Sequence, residues 1–235
     1  MTNSELTGCS LAQCHLELKD QSQTPIRSRP HPMSALDRQE LELQVKGLLD
    51  DDIIEKSLSA WSSPVLLVRK HDSTRRLVVD LRKINLALKD EAYPNLTFSE
   101  CVDRISAAKP KVLSLLDLRS AFLQCIIAPA SRKYTAFQCQ GQQYQYKRLA
   151  YGLKVSGGYF NYLVSQALQS DDLLSSSVLN YVDDLLVFTE SVSDHIKVMR
   201  RLFMALENAG LKIHNQKCSL FQKKVKFLGH VITAN

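Results

Sequence analysis

The sequence lacks the features that mark secreted and membrane-spanning proteins. None of its apolar runs approaches the roughly 18 residues that a membrane-spanning helix needs. Its first residues carry no basic segment followed by an apolar one, so no secretory signal peptide is expected. The sequence also has no internal repeat and no low-complexity segment. These absences favour a cytosolic protein, or a piece of one, without a membrane partner.

Paired cysteines are absent as well. The 6 cysteines are scattered along the chain, and no Cys-x-x-Cys pair occurs. Cys9, Cys14 and His15 lie close together, but no second pair of ligands follows at the spacing of a zinc finger. Free thiols buried in a reducing compartment are therefore the better interpretation.

The composition is that of a globular protein. The chain has 235 residues, of which 45% are hydrophobic, which is enough for one large domain or two small ones. Lys and Arg outnumber Asp and Glu by 30 to 24, so the formal net charge is +6. This mild basic excess is compatible with a polyanionic partner, but solvated basic surfaces are too common for the charge alone to identify one.

Apolar spacing predicts an alternation of helices and β-hairpins. Ser34 is a candidate N-cap for a helix whose predicted apolar face consists of Leu41, Val45, Leu48 and Leu49. Ser193 can cap a later helix, whose predicted apolar face consists of Ile196, Met199, Phe203, Leu206 and Ala209. Hairpins are predicted where turn residues separate two strand-like runs, at 65–79, 134–149, 178–188 and 225–232. This order of elements predicts an α+β fold with an antiparallel sheet.

Two adjacent acids, Asp183 and Asp184, lie between the apolar runs 178–182 and 185–188. The pattern predicts a hairpin with the Asp-Asp pair as its turn. Two carboxylates held at one edge of a sheet repel each other unless a cation neutralises them, and their oxygens suit Mg²⁺ or Mn²⁺. A solvated surface turn is the alternative, and it is the better explanation of an Asp-Asp pair taken alone.

Two other features are typical of ion-binding sites. Asp117 ends the apolar run 112–116, and an acid in that position usually faces a cleft or a cation. The loop 69–75 between the strands 65–68 and 76–79 is polar and cationic. Its Lys and Arg side chains could bind a chain of phosphates, or they could simply make the surface soluble.

Several separated segments, taken in order, resemble the reverse transcriptase family. The segments are PIR at 25–27, SSPV at 62–65, VDLRKIN at 79–85, LDLRSAF at 116–122, YGL at 151–153, YVDD at 181–184 and FLGH at 227–230. YVDD is similar to the YxDD box of that family, and LDLRSAF is similar to its first catalytic box. The residues in these segments, and the order of the segments, are most similar to those of the polymerases of gypsy-type LTR retrotransposons. The resemblance covers about residues 15–233.

The resemblance implies a right-hand polymerase, with fingers and palm present and most of the thumb missing. An antiparallel palm sheet would pack on helices. The implied domains are an extended lead-in at 1–34, fingers at 35–110 and 131–155, and palm at 111–130 and 156–235. The implied activity is that of an RNA-directed DNA polymerase, a nucleotidyltransferase that adds deoxynucleotides to a primer 3′-hydroxyl.

The resemblance also implies roles for individual residues. Asp117, Asp183 and Asp184 would be the catalytic residues and the ligands of two Mg²⁺ or Mn²⁺ ions. The residues implied for the incoming dNTP are Lys70, Arg76, Ser120, Ala121, Phe122, Tyr151 and Lys217. Those implied for primer and template are Arg82, Tyr181, Phe227, Leu228 and Gly229. Phe122 would select deoxyribose over ribose, although its position alone favours plain core packing.

The partners implied are dNTPs and an RNA or DNA template with its primer, and the oligomeric state is left open. The cytoplasm is the expected location, with virus-like particles and the nucleus as further settings. Such a chain would be a fragment of a retrotransposon polyprotein.

Two departures from the family pattern support an alternative. Ser156-Gly157-Gly158 stands where the family usually has Ala-Pro or Ser-Pro, which predicts a loosened start of the following helix. The sequence also stops just past the primer-grip turn at 227–229. The alternative is therefore a catalytically silent or domesticated remnant that binds nucleic acid without copying it.

Overall fold

The computed structural model describes residues 6, 8–69, 74–91, 93, 96–169 and 171–234. The α-helices are α1 (Ala35–Asp50), α2 (Arg82–Ala87), α3 (Phe98–Ala108), α4 (Pro129–Arg132), α5 (Ser156–Gln169), α6 (Asp172–Ser177) and α7 (Val192–Asn208). The strands are β1 (Gln13–Cys14), β2 (Ile54–Lys56), β3 (Val65–Arg69), β4 (Arg75–Val79), β5 (Val112–Asp117), β6 (Ile126–Ile127), β7 (Phe137–Cys139), β8 (Gln142–Tyr146), β9 (Val178–Tyr181), β10 (Asp184–Thr189), β11 (Ser219–Gln222), β12 (Lys224–Phe227) and β13 (His230–Thr233). Short 3₁₀ helices span Ala121–Gln124, Lys133–Thr135 and Asn215–Lys217.

Helices and mostly antiparallel strands alternate along the chain, as predicted for an α+β fold. Two compact units form: unit 1 comprises residues 1–7, 13–91 and 122–156, and unit 2 comprises 8–12, 92–121 and 157–235. The fingers and palm boundaries stay a prediction. Among the described residues, no helix has both the length and the apolar character needed to cross a bilayer.

Unit 1 is built from a small sheet and a hairpin. Strand β8 pairs antiparallel with both β2 and β7, and β3 pairs antiparallel with β4. Helix α1 begins where predicted, because the Ser34 hydroxyl accepts a hydrogen bond from the Asp37 N–H. Of its predicted apolar face, Leu41 and Val45 are buried, whereas Leu48 and Leu49 are half-buried. The ring of Trp61 packs edge-on against Tyr134 at 5.2 Å, and Phe137, the first residue of β7, is fully buried.

Residues 13–18, within the predicted lead-in, are part of the core of unit 1. Cys14, Leu16 and Leu18 are buried, and β1 pairs parallel with β6. The Leu16 N–H donates to the Ser131 hydroxyl at 2.9 Å, and the Cys14 carbonyl accepts from the Ala128 N–H at 2.9 Å. The alternating Leu16 and Leu18 are the strand-like signal that explains this burial.

Unit 2 contains a four-stranded antiparallel sheet in the order β11-β5-β10-β9. Helices α3, α6 and α7 pack against β10. The core cluster consists of Cys101, Ile105, Leu113, Leu179, Leu186, Phe188, Val225 and Phe227. It is formed by apolar side chains from α3, β5, β9, β10 and β12, and it lies behind the edge where β5 and β10 carry their acidic residues.

The predicted apolar face of α7 is correct for Met199, Leu206 and Ala209 and wrong for Ile196 and Phe203. The helix is capped by Ser191 and not by the predicted Ser193. Its buried residues are His195, Val198, Met199, Leu202 and Leu206, whereas Ile196 is 40% exposed and Phe203 is 39% exposed. The physical reason is His195, which is fully buried with both ring nitrogens hydrogen-bonded and so turns the helix away from the purely apolar stripe. A periodicity that counts only apolar residues cannot include such a histidine.

The predicted strand pair at 134–149 is shorter than expected. The pairing extends only over β7 and β8, because residues 133–135 form a 3₁₀ turn. The turn itself contains the predicted Gly141, at φ = 77°, together with Gln140 at φ = 48°. Two consecutive residues with positive φ are typical of a type I′ hairpin turn.

The predicted loosening at Gly157-Gly158 is not found. Helix α5 begins at Ser156, and Gly158 packs directly beneath Tyr93, where a Cβ would lie 2.8 Å from the ring atom Cδ2. Tyr159 and Tyr162 pack on the same ring at 5.7 and 5.5 Å. Gly158 is therefore needed for close packing, whereas a Cβ on Gly157 would meet nothing within 4 Å.

Gly158→Ala is expected to lower the free energy of unfolding by about 1–3 kcal/mol, because the hindered Tyr93 ring cannot move aside freely. Gly157→Ala is the matched control in the same helical turn. Its free energy of unfolding should equal that of the parent or exceed it by up to about 1 kcal/mol. Urea denaturation of the three proteins measures both effects. Equal stabilities of the two variants would contradict the packing role of Gly158.

Candidate active site

The acidic residues singled out in the sequence meet at one edge of the unit 2 sheet. Asp117 is the last residue of β5 and Asp184 is the first residue of β10, and the antiparallel register places them directly opposite each other. Cross-strand neighbours of this kind have Cβ atoms about 5 Å apart. The sheet therefore brings together two carboxylates that lie far apart in sequence.

The hairpin turn differs from the prediction by one residue. Tyr181 and Asp184 pair across it, so the turn consists of Val182 and Asp183 and not of the two aspartates. Val182 has φ = 55°, which is the first-position geometry of a type II′ turn and is normally occupied by glycine. A β-branched residue held there stores strain of about 1–3 kcal/mol, which the paired strands on both sides must offset.

The backbone around Asp117 is fixed from two directions. The Leu118 N–H donates to the Asp183 carbonyl at 2.8 Å, and the His214 N–H donates to the Asp117 carbonyl at 2.8 Å. The ammonium group of Lys217 lies 3.3 Å from the Asp117 carboxylate. The Asp117 side chain is thus held on a rigid strand end with one flexible cation beside it.

The electrostatics of the acids favour a cation. Burial, together with the neighbouring Asp183 and Asp117, raises the pKa of Asp184 to about 6, and Lys217 offsets only part of this. Oxygen donors of this charge suit Mg²⁺ or Mn²⁺. Within the described part of the chain, no three His, Cys, Asp or Glu side chains stand at the mutual spacing of metal ligands. This arrangement still fits Mg²⁺, which usually takes one or two carboxylates and completes its shell with water and substrate phosphates.

The raised pKa of Asp184 predicts a pH-dependent stability. The folded state holds the proton up to about pH 6, whereas the unfolded chain releases it near 3.8, so ionised Asp184 destabilises the fold above that window. In the presence of a chelator, Asp184→Asn should therefore raise the free energy of unfolding at pH 7.5 by about 1–2 kcal/mol, allowing for partial solvent screening.

The gain from Asp184→Asn should shrink as the pH falls and vanish near pH 4. Thermal unfolding of both proteins between pH 4 and 7.5 measures the difference. A gain that is the same at every pH would contradict the raised pKa of Asp184, which burial and the two neighbouring acids cause.

Of the residues implied for dNTP binding, four belong to unit 1, and the described ones differ in exposure and in contacts. Phe122 is half-buried, and its ring lies 5.2 Å from the ring of Tyr151 at an angle of 54°. Tyr151 is 49% exposed. Arg76 is exposed on β4, and Lys70 lies outside the described residues. Of this group, the structure brings Phe122 and Tyr151 together.

The remaining dNTP residues belong to unit 2. Ser120 has φ = 45°, and Ala121 is buried at the start of a 3₁₀ turn. This left-handed residue bends the chain sharply away from β5 shortly after Asp117. Lys217 ends the 3₁₀ helix Asn215–Lys217, which places its ammonium group beside Asp117.

The primer and template residues include both surface and core side chains. Arg82 is exposed and forms a bidentate pair with Asp80 at 2.7–2.8 Å, which lowers the pKa of Asp80 to about 2. Phe227 is only 1% exposed, so its side chain anchors the β12–β13 hairpin in the core. Leu228 and Gly229 form the hairpin turn, with φ values of 52° and 78°. Tyr181 is half-buried against the same core cluster.

Sequence reasoning missed a buried polar network toward the opposite ends of β5 and β10 from the acidic edge. The Ser114 hydroxyl accepts from the Phe221 N–H at 2.9 Å, so its own proton is available for Nε2 of His195, 2.7 Å away. The Thr189 hydroxyl donates to the Ser191 carbonyl at 3.1 Å and accepts from Nδ1–H of His195 at 2.9 Å. A serine within the apolar run of β5 was the available signal, because a buried hydroxyl needs a partner.

The chain resembles known proteins over nearly its whole length. The family model described as reverse transcriptase (RNA-dependent DNA polymerase) matches residues 68–232. The retrovirus-related Pol polyprotein from transposon 412 of Drosophila melanogaster is 32% identical over 239 residues, which cover 99% of this chain and 19% of that polyprotein. The transposon Tf2-3 polyprotein of Schizosaccharomyces pombe is 29% identical over 209 residues, which cover 89% of this chain and 15% of that polyprotein.

Solved structures agree with this relationship. The foamy viral protease-reverse transcriptase in complex with an RNA/DNA hybrid matches with a TM-score of 0.81 and 25% identity, over 97% of this chain and 30% of that one. The prototype foamy virus protease-reverse transcriptase CSH mutant matches with a TM-score of 0.82 and 26% identity, over 96% of this chain and 29% of that one. The predicted fingers-and-palm type of fold is thereby confirmed.

The chain spans only about a fifth of the length of the curated relatives that it matches. Within that span, the predicted resemblance is confirmed by a family match that includes Asp117, Asp183 and Asp184, and the gypsy-type wording is consistent with relatives such as transposons 412, 297 and opus. The chain belongs to the reverse transcriptase (RNA-dependent DNA polymerase) family.

Proposed function

We propose that this chain is the catalytic core of an RNA-directed DNA polymerase encoded within a retrotransposon polyprotein. It would transfer deoxynucleotides from dNTPs to the 3′-hydroxyl of a primer. The observation that carries the proposal is the direct opposition of Asp117 and Asp184 at the ends of β5 and β10, with Asp183 in the adjoining turn. Carboxylates are costly to hold together unless they bind cations.

Asp117, Asp183 and Asp184 are the residues that would hold two Mg²⁺ or Mn²⁺ ions. When bound, such ions lower the pKa of the attacking hydroxyl and stabilise the charge on the triphosphate and the leaving pyrophosphate. The chain contributes rigid placement, because backbone hydrogen bonds at Leu118 and His214 fix the Asp117 strand end. Pre-organised carboxylates need not reorganise during the reaction, which is the main source of electrostatic catalysis.

Other residues would bind and orient the nucleotide. Lys217, with its flexible ammonium group beside Asp117, can follow a phosphate as the triphosphate arrives. Phe122 and Tyr151 would contact the sugar and exclude a ribose 2′-hydroxyl. The backbone at Ser120 and Ala121 and the cations Lys70 and Arg76 would bind its phosphates.

Nucleic acid is the proposed partner. The foamy viral relative was solved with an RNA/DNA hybrid, and another structure of it contains double-stranded DNA. The net charge of +6 favours a polyanion. In this proposal Arg82 contacts a nucleic-acid phosphate, and Tyr181 together with the 227–229 turn positions the primer end. Synthesis would take place in the cytoplasm, including virus-like particles, or in the nucleus.

A catalytically silent remnant that only binds nucleic acid is the second candidate. One of its two supports in the sequence was the Gly157-Gly158 pair, but α5 begins regularly at Ser156 and Gly158 is tightly packed. The direct opposition of Asp117 and Asp184 favours the polymerase over this candidate. It therefore serves as the alternative outcome of the functional test.

The test is extension of a DNA primer on an RNA template with Mg²⁺ or Mn²⁺, together with binding measured over a range of salt concentrations. The proposed polymerase binds and extends, and Asp183→Asn binds without extending. Salt-dependent binding without extension by the wild-type protein would support the remnant. Equal extension by the wild type and by Asp183→Asn would show that Asp183 takes no part in the reaction.

A further inference from the structure

One side chain of unit 1 holds the loop that carries Tyr151. The amide of Asn85, on α2, donates through Nδ2 to the Gly152 carbonyl at 2.7 Å and accepts through Oδ1 from the Lys154 N–H at 3.0 Å. These two bonds lie on either side of Leu153, whose side chain is buried. The Asn85 side chain thus makes the two backbone hydrogen bonds that a neighbouring strand would otherwise make. Both its amide donor and its amide acceptor are used.

We call the two hydrogen bonds from Asn85 to Gly152 and Lys154 the Asn85 clamp. Its chemistry is specific to asparagine. An aspartate of the same shape accepts but cannot donate, and a leucine of similar volume does neither. The loop is irregular, since residues 151–154 form neither helix nor strand and Gly152 has φ = 95°. Its backbone also bonds locally, because the Leu153 N–H donates to the Ala150 carbonyl at 3.4 Å. The Lys154 ammonium group adds one further attachment, since it donates to the Leu88 carbonyl at 2.5 Å and to Asp90 at 2.7 Å.

The Asn85 clamp fixes the backbone next to the aromatic pair Tyr151 and Phe122. Tyr151 directly precedes Gly152, and its ring meets that of Phe122 at 5.2 Å. The tilt of 54° between the two rings depends on the backbone direction at Tyr151. Loss of either Asn85 bond would leave the Gly152 carbonyl or the Lys154 N–H to find water, and the loop would gain freedom at the point where Tyr151 leaves it.

We propose that Asn85 is a positioning residue that sets the gap between Tyr151 and Phe122 and thereby the discrimination between deoxyribo- and ribonucleotides. This inference rests on the proposed function, since it assigns the specificity of the same site. Asn85 would act through the loop backbone, because both of its amide hydrogen bonds go to backbone groups of Gly152 and Lys154. A small displacement is sufficient, because a misplacement of 1 Å at a reacting site changes rates by about a hundredfold.

The experiment compares wild type, Asn85→Asp and Asn85→Leu in single-nucleotide incorporation with dNTP and with rNTP. Both variants should lower the ratio of kcat/KM for dNTP over rNTP by about tenfold, with most of the change in KM. Leu86→Ala, an exposed change in the same helix, is the matched control and should keep the wild-type ratio. A wild-type ratio in folded Asn85→Leu would overturn the proposal.

A second measurement is independent of activity. In protein labelled with 3-fluorotyrosine, the ¹⁹F signal assigned by its loss in Tyr151→Phe should shift or broaden in Asn85→Leu and stay unchanged in Leu86→Ala. An unchanged signal in Asn85→Leu would overturn the positioning role. If the wild type incorporates no nucleotide, the proposed function fails, and the ¹⁹F signal alone decides whether Asn85 orients Tyr151.

Discussion

Asp117→Asn is expected to lower the rate of nucleotide incorporation by about a thousandfold or more, since losing a metal ligand removes several kcal/mol of transition-state stabilisation. The fold should persist, because the ion pair between Lys217 and Asp117 is largely solvent-exposed on the lysine side and such pairs contribute little to stability. Binding of a primer–template should also persist, since one fewer negative charge weakens no phosphate contact.

Asp103→Asn is the matched control for this change. Asp103 is an exposed acid on α3 of the same unit, so the substitution alters the net charge equally without touching the acidic edge. Single-turnover incorporation of one dNTP, with Tm measured alongside, separates loss of chemistry from loss of fold. If folded Asp117→Asn protein incorporates the dNTP at more than about one tenth of the wild-type rate, Asp117 is not a metal ligand required for the reaction.

His195→Ala is expected to lower the free energy of unfolding by about 3 kcal/mol or more. The substitution leaves a cavity in the core of unit 2 and deprives the buried Ser114 hydroxyl of its acceptor and Thr189 of its donor. Ser114 also holds β11 through the Phe221 N–H, at a place where the β11–β5 register is irregular. Arg200→Ala, an exposed change on α7, should stay within about 0.5 kcal/mol of the wild type.

The pH dependence of this effect has a definite sign. Burial lowers the pKa of His195 below its usual 6.5, so the folded protein holds the neutral ring while the unfolded chain takes up a proton. The wild type should therefore lose stability as the pH falls below about 6.5. The difference between wild type and His195→Ala should narrow over the same range. Urea denaturation at several pH values tests this, and a constant difference would contradict the neutral buried histidine.

Local signals in the sequence predicted much of the fold. Ser34 was predicted as an N-cap because its hydroxyl and the apolar spacing behind it act within one helical turn. Asp117 could be placed at a strand end from its apolar run, and the hairpin at Asp183 and Asp184 from the two runs beside it. The opposition of Asp117 and Asp184 required in addition that β5 pair with β10, which the resemblance to reverse transcriptases implied.

The features that could not be predicted depend on tertiary context. Val182 adopts a left-handed conformation that its own side chain disfavours, and only the strands on both sides hold it there. Strand β11 has exposed side chains and an irregular register, so it carries no alternating pattern. Asn85 and His195 resemble ordinary surface or helical residues in the sequence, because their roles come from partners that folding brings to them.

The measurement that tests the central claim most directly is template-directed incorporation of a single nucleotide by the purified chain. A DNA primer annealed to RNA templates that differ in one base is mixed with each dNTP in turn and with Mg²⁺. The account predicts that the wild-type protein adds only the nucleotide complementary to the RNA base and that Asp183→Asn adds none. Binding without addition, or addition that ignores the template base, would contradict it.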